Sequence, residues 1–199
     1  MNRKPIYVDM DNVLIAPIID PKTDEPVDLL VRPGVKKFLE SLSVYGDLKL
    51  LSAASFSWVK IGLRAIGPVV RLFQEVFSGE DLFQIAQQIE VVDKAQGLTT
   101  TDREELYRQI EPILPAGVMF DDFPVGSGMY LLKGIATGIK FVNPNLWIQV
   151  DSFSPTEPDR DGLMKAYEEF QKRNNAWRGR PAMGSRKKAG GLILAGSVR

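Results

Sequence analysis

Two aspartates near the start of the chain are the residues best suited to chemistry. Asp9 and Asp11 directly follow a short apolar stretch, Ile6–Val8. Transfer of phosphate from a monoester requires a nucleophile, a proton donor for the leaving alcohol, and positive charge around the phosphate oxygens. Two carboxyl groups spaced i and i+2 on a turn can divide the first two tasks. The pair therefore indicates phosphoryl transfer carried out by carboxyl groups.

The rest of the residue inventory narrows this chemistry. The 199-residue chain contains no cysteine and no histidine. Thiol nucleophiles, disulfides, imidazole bases and the usual zinc sites are therefore excluded. Carboxylates remain, and they match hard cations such as Mg²⁺. A second acidic pair, Asp121-Asp122, follows another apolar run, and its oxygens would complete a magnesium site together with the first pair.

The elements that must position these acids alternate between strand and helix. Short apolar strands are predicted at Ile6–Val8, Leu48–Leu51, Val118–Phe120 and Ile139–Val142. The clearest helix begins after Pro33-Gly34, because apolar residues recur there at helical spacing. This order predicts an α/β fold with a Rossmann-like, doubly wound parallel sheet, and such sheets bind ligands beyond the carboxyl ends of their strands.

The remaining segments complete the predicted organisation. The proline-rich and aspartate-rich segment that follows Asp9, up to Val31, shows no helical period, so it is predicted to form a loop or a small hairpin flap. Helices are predicted from about Ser127 to Ala136 and from about Asp159 to Arg173. We predict one domain over residues 1–170 and a basic tail over residues 171–199.

A family resemblance supports the same interpretation. The run Ile6-Tyr7-Val8-Asp9-Met10-Asp11-Asn12-Val13 resembles the first motif of the haloacid dehalogenase (HAD) superfamily, an apolar strand followed by Asp-x-Asp-x-Thr/Val. Leu50-Leu51-Ser52 is similar to the second motif, and Met119-Phe120-Asp121-Asp122 to the fourth. The third motif is a lone lysine, and Lys94 is the only lysine between Lys60 and Lys133. The resemblance covers roughly residues 5–150.

The resemblance implies a role for each of these residues. Asp9 would be the nucleophile and Asp11 the acid/base, while Ser52 and Lys94 would contact the phosphate. The metal ligands would be Asp9, the backbone carbonyl of Asp11, and Asp121 or Asp122, with Mg²⁺ as the cofactor. Asn12 replaces the glycine often found there, but asparagine tolerates a positive φ, so the turn remains feasible.

Plainer interpretations exist for each element. The Asp-x-Asp-Asn run could be a calcium loop or a surface turn, although Val13 and Leu14 occupy positions where an EF-hand needs a ligand and a glycine. Ser52 could be a helix cap. Asp121-Asp122 could be a solvated turn, and Lys94 a surface lysine.

The substrate is less defined than the chemistry. About twenty residues separate Leu14 from Pro33, which is too few for a large cap domain, so we predict a minimal cap or none. Asp9-Met10-Asp11 with Val13-Leu14 is similar to the 5′(3′)-deoxyribonucleotidases, a family of nucleotidases that carry a helical cap. The run from Arg32 to Leu39 with Leu51-Ser52-Ala53 is similar to the capless carboxy-terminal-domain phosphatases. An open site would suit a phosphorylated macromolecule, unless a second subunit of an oligomer covers it.

The carboxyl-terminal segment suggests an alternative function. Every acidic residue lies at or before Glu169, and Lys172–Arg199 carries eight basic residues. Such a segment could bind nucleic acid. The alternative is therefore a catalytically idle domain of the same fold that binds nucleic acid or an assembly partner through this tail. The apolar run before Asp9 is too short for a signal peptide or a membrane span, so the sequence predicts a soluble, cytoplasmic protein with no membrane partner.

Overall fold

The computed structural model describes residues 3–88, 117–122, 130–132, 135–137, 147–156, 159 and 161–178. Its strands, in chain order, are β1 (Pro5–Val8), β2 (Ile15–Ile19), β3 (Pro26–Val31), β4 (Asp47–Leu51), β5 (Phe73–Phe77), β6 (Val118–Asp121), β7 (Tyr130–Leu132), β8 (Ile135–Thr137) and β9 (Trp147–Gln149). Its helices are α1 (Val35–Ser43), α2 (Phe56–Ile66), α3 (Gly79–Gln88) and α4 (Gly162–Arg178), with a 3₁₀ helix at Pro68–Leu72.

The centre of the molecule is a five-stranded parallel sheet with the order β5-β4-β1-β6-β9. The chain moves outward from β1 through β4 to β5, and the next strand of this sheet, β6, lies on the other side of β1. The direction of winding therefore reverses between β1 and β6, the position where open α/β sheets form their ligand crevice. The predicted α/β fold with a parallel sheet is confirmed.

Helix α1 covers one face of this sheet, as the sequence pattern predicts. The four apolar residues of its buried stripe are Val35, Phe38, Leu39 and Leu42. The Phe38 ring meets Phe120 of β6 edge to face with centroids 5.3 Å apart, and Phe120 meets Phe170 of α4 at 5.7 Å. Burying each ring stabilises the fold by about 1.5–3 kcal/mol, so this cluster fixes α1 and α4 against β6.

Helix α2 begins and ends where local signals place it. The Ser55 hydroxyl accepts a hydrogen bond from the backbone N–H of Trp58 and caps the first turn. Gly67 ends the helix with φ at 83°, in the region that glycine adopts without steric cost, and Pro68 follows. The helix therefore runs from the carboxyl end of β4 to the start of the 3₁₀ helix.

The segment between β1 and α1 forms the small hairpin that its composition predicts. Strands β2 and β3 pair antiparallel, with a register shift between Ile18 and Ile19. Residues 89–116 lie outside the described residues. That the cap is minimal or missing therefore stays a prediction, of which the structure describes only this hairpin. Within the described residues, no helix is long and apolar enough to span a membrane.

Three expectations about the later part of the chain need comment. The predicted helix over Ser127–Ala136 is wrong, because β7 and β8 pair antiparallel there. Only two residues separate these strands, and the second is Gly134, which is a hairpin signal that outweighs a weak helical pattern. The predicted strand Ile139–Val142 lies outside the described residues. The helix predicted from about Asp159 to Arg173 is confirmed as α4, which extends to Arg178. The division into a domain over residues 1–170 and a basic tail over residues 171–199 stays a prediction.

Candidate active site

The two aspartates of the first motif lie on a tight turn at the carboxyl end of β1. The backbone N–H of Asp9 donates to the Phe120 carbonyl at 2.9 Å and extends the pairing with β6. Asn12 then adopts φ 59°, as its sequence position predicts, and its N–H donates to the Ile15 carbonyl at 2.6 Å. This turn places Asp9 and Asp11 at the crevice between β1 and β6.

Three carboxyl groups meet at this crevice. One carboxylate oxygen from each of Asp9, Asp121 and Asp122 lies within 4.8 Å of the other two. Asp9 and Asp121 are buried, with 9% and 2% of their surface exposed. The Ser152 hydroxyl donates to Oδ2 of Asp122 at 3.1 Å from the loop after β9. The acids of the first and fourth motifs therefore lie together in the fold.

The electrostatics of this cluster favour a bound cation. Burial raises the pKa of Asp9 well above its ordinary value, and the nearby charges of Asp121, Asp11 and Asp122 raise it further, against a hydrogen bond from the Met10 N–H. Carboxylates brought together in a buried crevice resist ionisation unless positive charge joins them. A set of hard oxygen donors at this spacing fits a divalent ion such as Mg²⁺.

Asp11 occupies a different position from the other three acids. Trp58 Nε1 donates to its Oδ1 at 2.8 Å, and the Ser52 hydroxyl lies 3.5 Å from its Oδ2. Burial raises the pKa of Asp11, and the hydrogen bonds from Trp58 and Ser52 act in the opposite direction. Its side chain is not one of the clustered carboxylates, so its contribution to a metal site through the backbone carbonyl stays a prediction.

Of the two predicted phosphate contacts, Ser52 and Lys94, the structure describes only Ser52. Ser52 is fully buried just after β4, and its hydroxyl accepts from the Ala54 N–H at 3.1 Å. The cap of α2 is Ser55, so the alternative of Ser52 as a helix cap is wrong. Lys94 lies outside the described residues.

Helix α2 packs directly on the turn that carries Asp9 and Asp11, a feature that the sequence motifs do not show. A Cβ added at Gly62 would lie 2.7 Å from Sδ of Met10, the residue between the two aspartates. Trp58 and Gly62 are four residues apart and share one helix face. The sequence signal that could have indicated this packing is the i, i+4 spacing of a tryptophan and a glycine shortly after the second motif.

A buried ion pair holds the other side of the same turn. Arg32, 2% exposed, donates through Nε and Nη2 to the two oxygens of Asp159, each at 3.0 Å. Its Nη1 donates to the Val13 carbonyl at 3.3 Å, and its guanidinium lies 5.4 Å from the centroid of the Phe153 ring. The hydrogen bonds from Arg32 lower the pKa of Asp159. In the sequence, Arg32 stands out only as the first residue of the run that is similar to the capless carboxy-terminal-domain phosphatases.

Comparisons with known proteins show distant likeness at the level of the fold. Neither the family models nor the curated proteins contain a match to this sequence. Two solved structures of the RNA polymerase II CTD phosphatase Fcp1, one of them a fission yeast variant bound to beryllium fluoride, match at 17% identity with TM-scores of 0.43 and 0.44. They cover 88% and 90% of this chain, which spans about half of theirs, 51% and 55%.

A third solved structure belongs to a Thermotoga maritima protein assigned as a beta-phosphoglucomutase. It matches at 15% identity with a TM-score of 0.41, over 86% of this chain and 99% of its own. Likeness this distant assigns neither a family nor an activity, so the function rests on the site itself.

Proposed function

We propose that the protein is a magnesium-dependent phosphomonoesterase that acts through an aspartyl-phosphate on Asp9. The observation that carries this proposal is the meeting of Asp9, Asp121 and Asp122 at the crevice between β1 and β6, with the Asp11 carboxyl group on the same turn. A buried acidic cluster would destabilise the fold unless it served a ligand. The plainer alternatives of a calcium loop and a solvated surface turn do not account for a cluster assembled from two strand ends.

Asp9 and Asp11 divide the phosphoryl transfer between them. An oxygen of Asp9 attacks phosphorus, the bond from phosphorus to the leaving oxygen breaks, and Asp11 supplies the proton that the leaving alcohol takes. Water then attacks the phosphorus of the aspartyl-phosphate, gives its proton to Asp11, and releases inorganic phosphate with Asp9 restored. Ser52 and Lys94 are proposed to contact the phosphate oxygens.

Asp9, Asp121 and Asp122 would hold the Mg²⁺ ion, together with the backbone carbonyl of Asp11. When bound, the ion supplies positive charge that offsets the repulsion between the Asp9 carboxylate and the phosphate dianion. The carboxylates of Asp121 and Asp122 lie at a different strand end from Asp9, so these two metal ligands can be replaced without replacing the nucleophile.

The substrate is proposed to be a nucleotide or a phosphorylated macromolecule. The hairpin β2–β3 is the described segment between the first motif and α1, and it is too small to enclose a substrate by itself. Binding of nucleic acid through Lys172–Arg199 stays a prediction, and residues 179–199 of that segment lie outside the described residues. Oligonucleotides phosphorylated at the 3′ or 5′ end therefore belong in the first substrate screen beside nucleotides and phosphopeptides.

Hydrolysis of an aryl phosphate with Mg²⁺ tests the proposal. Replacing the nucleophile should lower kcat/KM at least about a thousandfold in Asp9→Asn. Asp47→Asn is the matched control, because Asp47 is the first residue of β4, at the amino end of the strand and away from the acidic cluster. This variant should retain full activity. Equal activity in wild type and Asp9→Asn would contradict the proposal. A wild-type protein with no activity on any phosphomonoester in the screen would favour the idle binding domain.

A further inference from the structure

The side chain of Trp58 lies in a fixed position beside Asp11. Trp58 is half-buried in the first turn of α2, and its backbone N–H is held by the Ser55 hydroxyl at 3.3 Å. One turn later Gly62 packs so closely against Met10 that an added Cβ would lie 2.7 Å from its Sδ, and the methionine side chain would have to shift. The helix face that carries Trp58 is therefore fixed against the turn that carries Asp9 and Asp11.

The chemistry of the indole determines how Asp11 can hold a proton. Trp58 Nε1 donates to Oδ1 of Asp11 at 2.8 Å. An indole nitrogen is a donor only and cannot accept. The carbonyl oxygen of a protonated carboxyl group is a stronger acceptor than its hydroxyl oxygen. The indole N–H therefore favours Oδ1 as the carbonyl oxygen and Oδ2 as the oxygen that carries the proton. Oδ2 is the oxygen that lies 3.5 Å from the hydroxyl of Ser52, at the end of β4.

We propose that Trp58 is a positioning residue for the phosphatase reaction, holding Asp11 so that its transferable proton is carried by Oδ2. This inference rests on the proposed function and deepens it. The bond from phosphorus to the leaving oxygen breaks as that oxygen takes the proton from Oδ2, leaving Asp11 as a carboxylate. Oδ2 then takes a proton from the attacking water, and the indole N–H donates to Oδ1 throughout the cycle.

The leaving group of the substrate distinguishes this role from a general structural one. Alkoxides need a proton as they leave, whereas p-nitrophenolate is stable without one. In Trp58→Phe, which keeps an aromatic ring and loses the N–H, kcat/KM for an alkyl phosphate should fall about tenfold or more. With p-nitrophenyl phosphate the fall should stay within about threefold. Equal falls for both substrates, or no fall for either, would overturn the role of Trp58.

Two further variants keep the test independent of packing. Trp58→Gln places an amide N–H the same number of bonds from Cα as the indole nitrogen, so it should retain more alkyl phosphatase activity than Trp58→Phe. Phe56→Leu is the matched control on the same helix, because Phe56 is 49% exposed and contacts Lys60; it should behave as wild type. If Trp58→Gln is no better than Trp58→Phe, the hydrogen bond is not the cause and the inference fails.

A double-mutant comparison ties the effect to Asp11. Asp11→Asn should show the same dependence on the leaving group, and adding Trp58→Phe to it should cause no further change. A further tenfold loss in the double variant would mean that Trp58 acts elsewhere. Wild-type activity that does not depend on Asp9 would remove the proposed function and this inference with it, whereas Asp9-dependent activity with uniform losses in Trp58→Phe removes only the inference.

Discussion

Two acids on either side of the first turn, the buried Asp9 and the half-buried Asp159, have opposite electrostatic surroundings. Asp9 lies beside Asp121 and Asp122, and its pKa is raised by burial and by these like charges. Asp159 accepts hydrogen bonds from Nε and Nη2 of Arg32, and its pKa is lowered by these hydrogen bonds. Less than a tenth of the surface of the Asp9 residue, and of the Asp159 side chain, is exposed.

The difference separates what holds the fold together from what is available for a ligand. The Arg32–Asp159 pair is satisfied within the protein, and it fixes the turn through the Val13 carbonyl. The cluster around Asp9 gathers negative charge in a crevice instead. Such an arrangement costs stability in the metal-free protein and becomes favourable when a cation binds. We therefore expect the same class of substitution to have opposite consequences at the two places.

The largest expected effect on stability is at the ion pair. Asp159→Asn removes the charge that compensates the buried Arg32, and it should lower the free energy of unfolding by about 3–5 kcal/mol. Asp151→Asn is the matched control, because Asp151 faces Lys165 at 3.9 Å in an exposed pair. That change should cost about 0.5 kcal/mol at most. Urea unfolding at neutral pH measures both values, and equal costs would contradict the assignment of Arg32 and Asp159 as the structural pair.

The same substitution has a defined pH dependence. Because the folded-state pKa of Asp159 is lowered, the stability from the pair is fully present above the ordinary aspartate pKa of about 3.9. It is lost as the pH falls through the folded-state value. The difference between wild type and Asp159→Asn should therefore stay constant from neutral pH to about pH 5 and shrink below about pH 4. A difference that shrinks as the pH rises would have the wrong sign.

The next effect concerns the cluster around Asp9. Mg²⁺ at a hundred times its dissociation constant should raise the free energy of unfolding of wild type by about 2.7 kcal/mol. Asp121→Asn removes one carboxylate ligand and should lose most of this gain, while without metal it should be no less stable than wild type. Thermal unfolding with Mg²⁺ and with EDTA gives the comparison, and Asp47→Asn should keep the full gain. An equal gain in Asp121→Asn would contradict the metal site.

Features of the fold and of the candidate site could be predicted from the sequence where a local pattern of residues indicates them. Asp9, Asp11 and the later acidic pair could be named because each follows an apolar strand, and parallel strands bring their carboxyl ends to one edge of a sheet. Asn12 could be predicted at positive φ from its residue type, which the structure confirms at 59°. The buried stripe of α1 could be predicted in the same way, because its four apolar residues recur at helical spacing.

The remaining features depend on contacts between distant parts of the chain. Arg32 and Asp159 are 127 residues apart, and Trp58 and Asp11 are 47 residues apart. No local spacing relates such partners. Strand β9 was missed because three residues carry too little alternation to be distinguished from a loop. The helix predicted over Ser127–Ala136 was wrong for a related reason, since its weak period competed with a hairpin signal.

The central claim, that Asp9 forms a covalent bond to phosphorus, can be tested by trapping the intermediate. Borohydride added during turnover of a phosphomonoester with Mg²⁺ reduces an aspartyl-phosphate to homoserine, and mass spectrometry of the peptides locates the change. The account predicts homoserine at Asp9 in wild type, and none at Asp11 or Asp121. Phosphate release with no modification at Asp9, or with the modification at another acid, would contradict it.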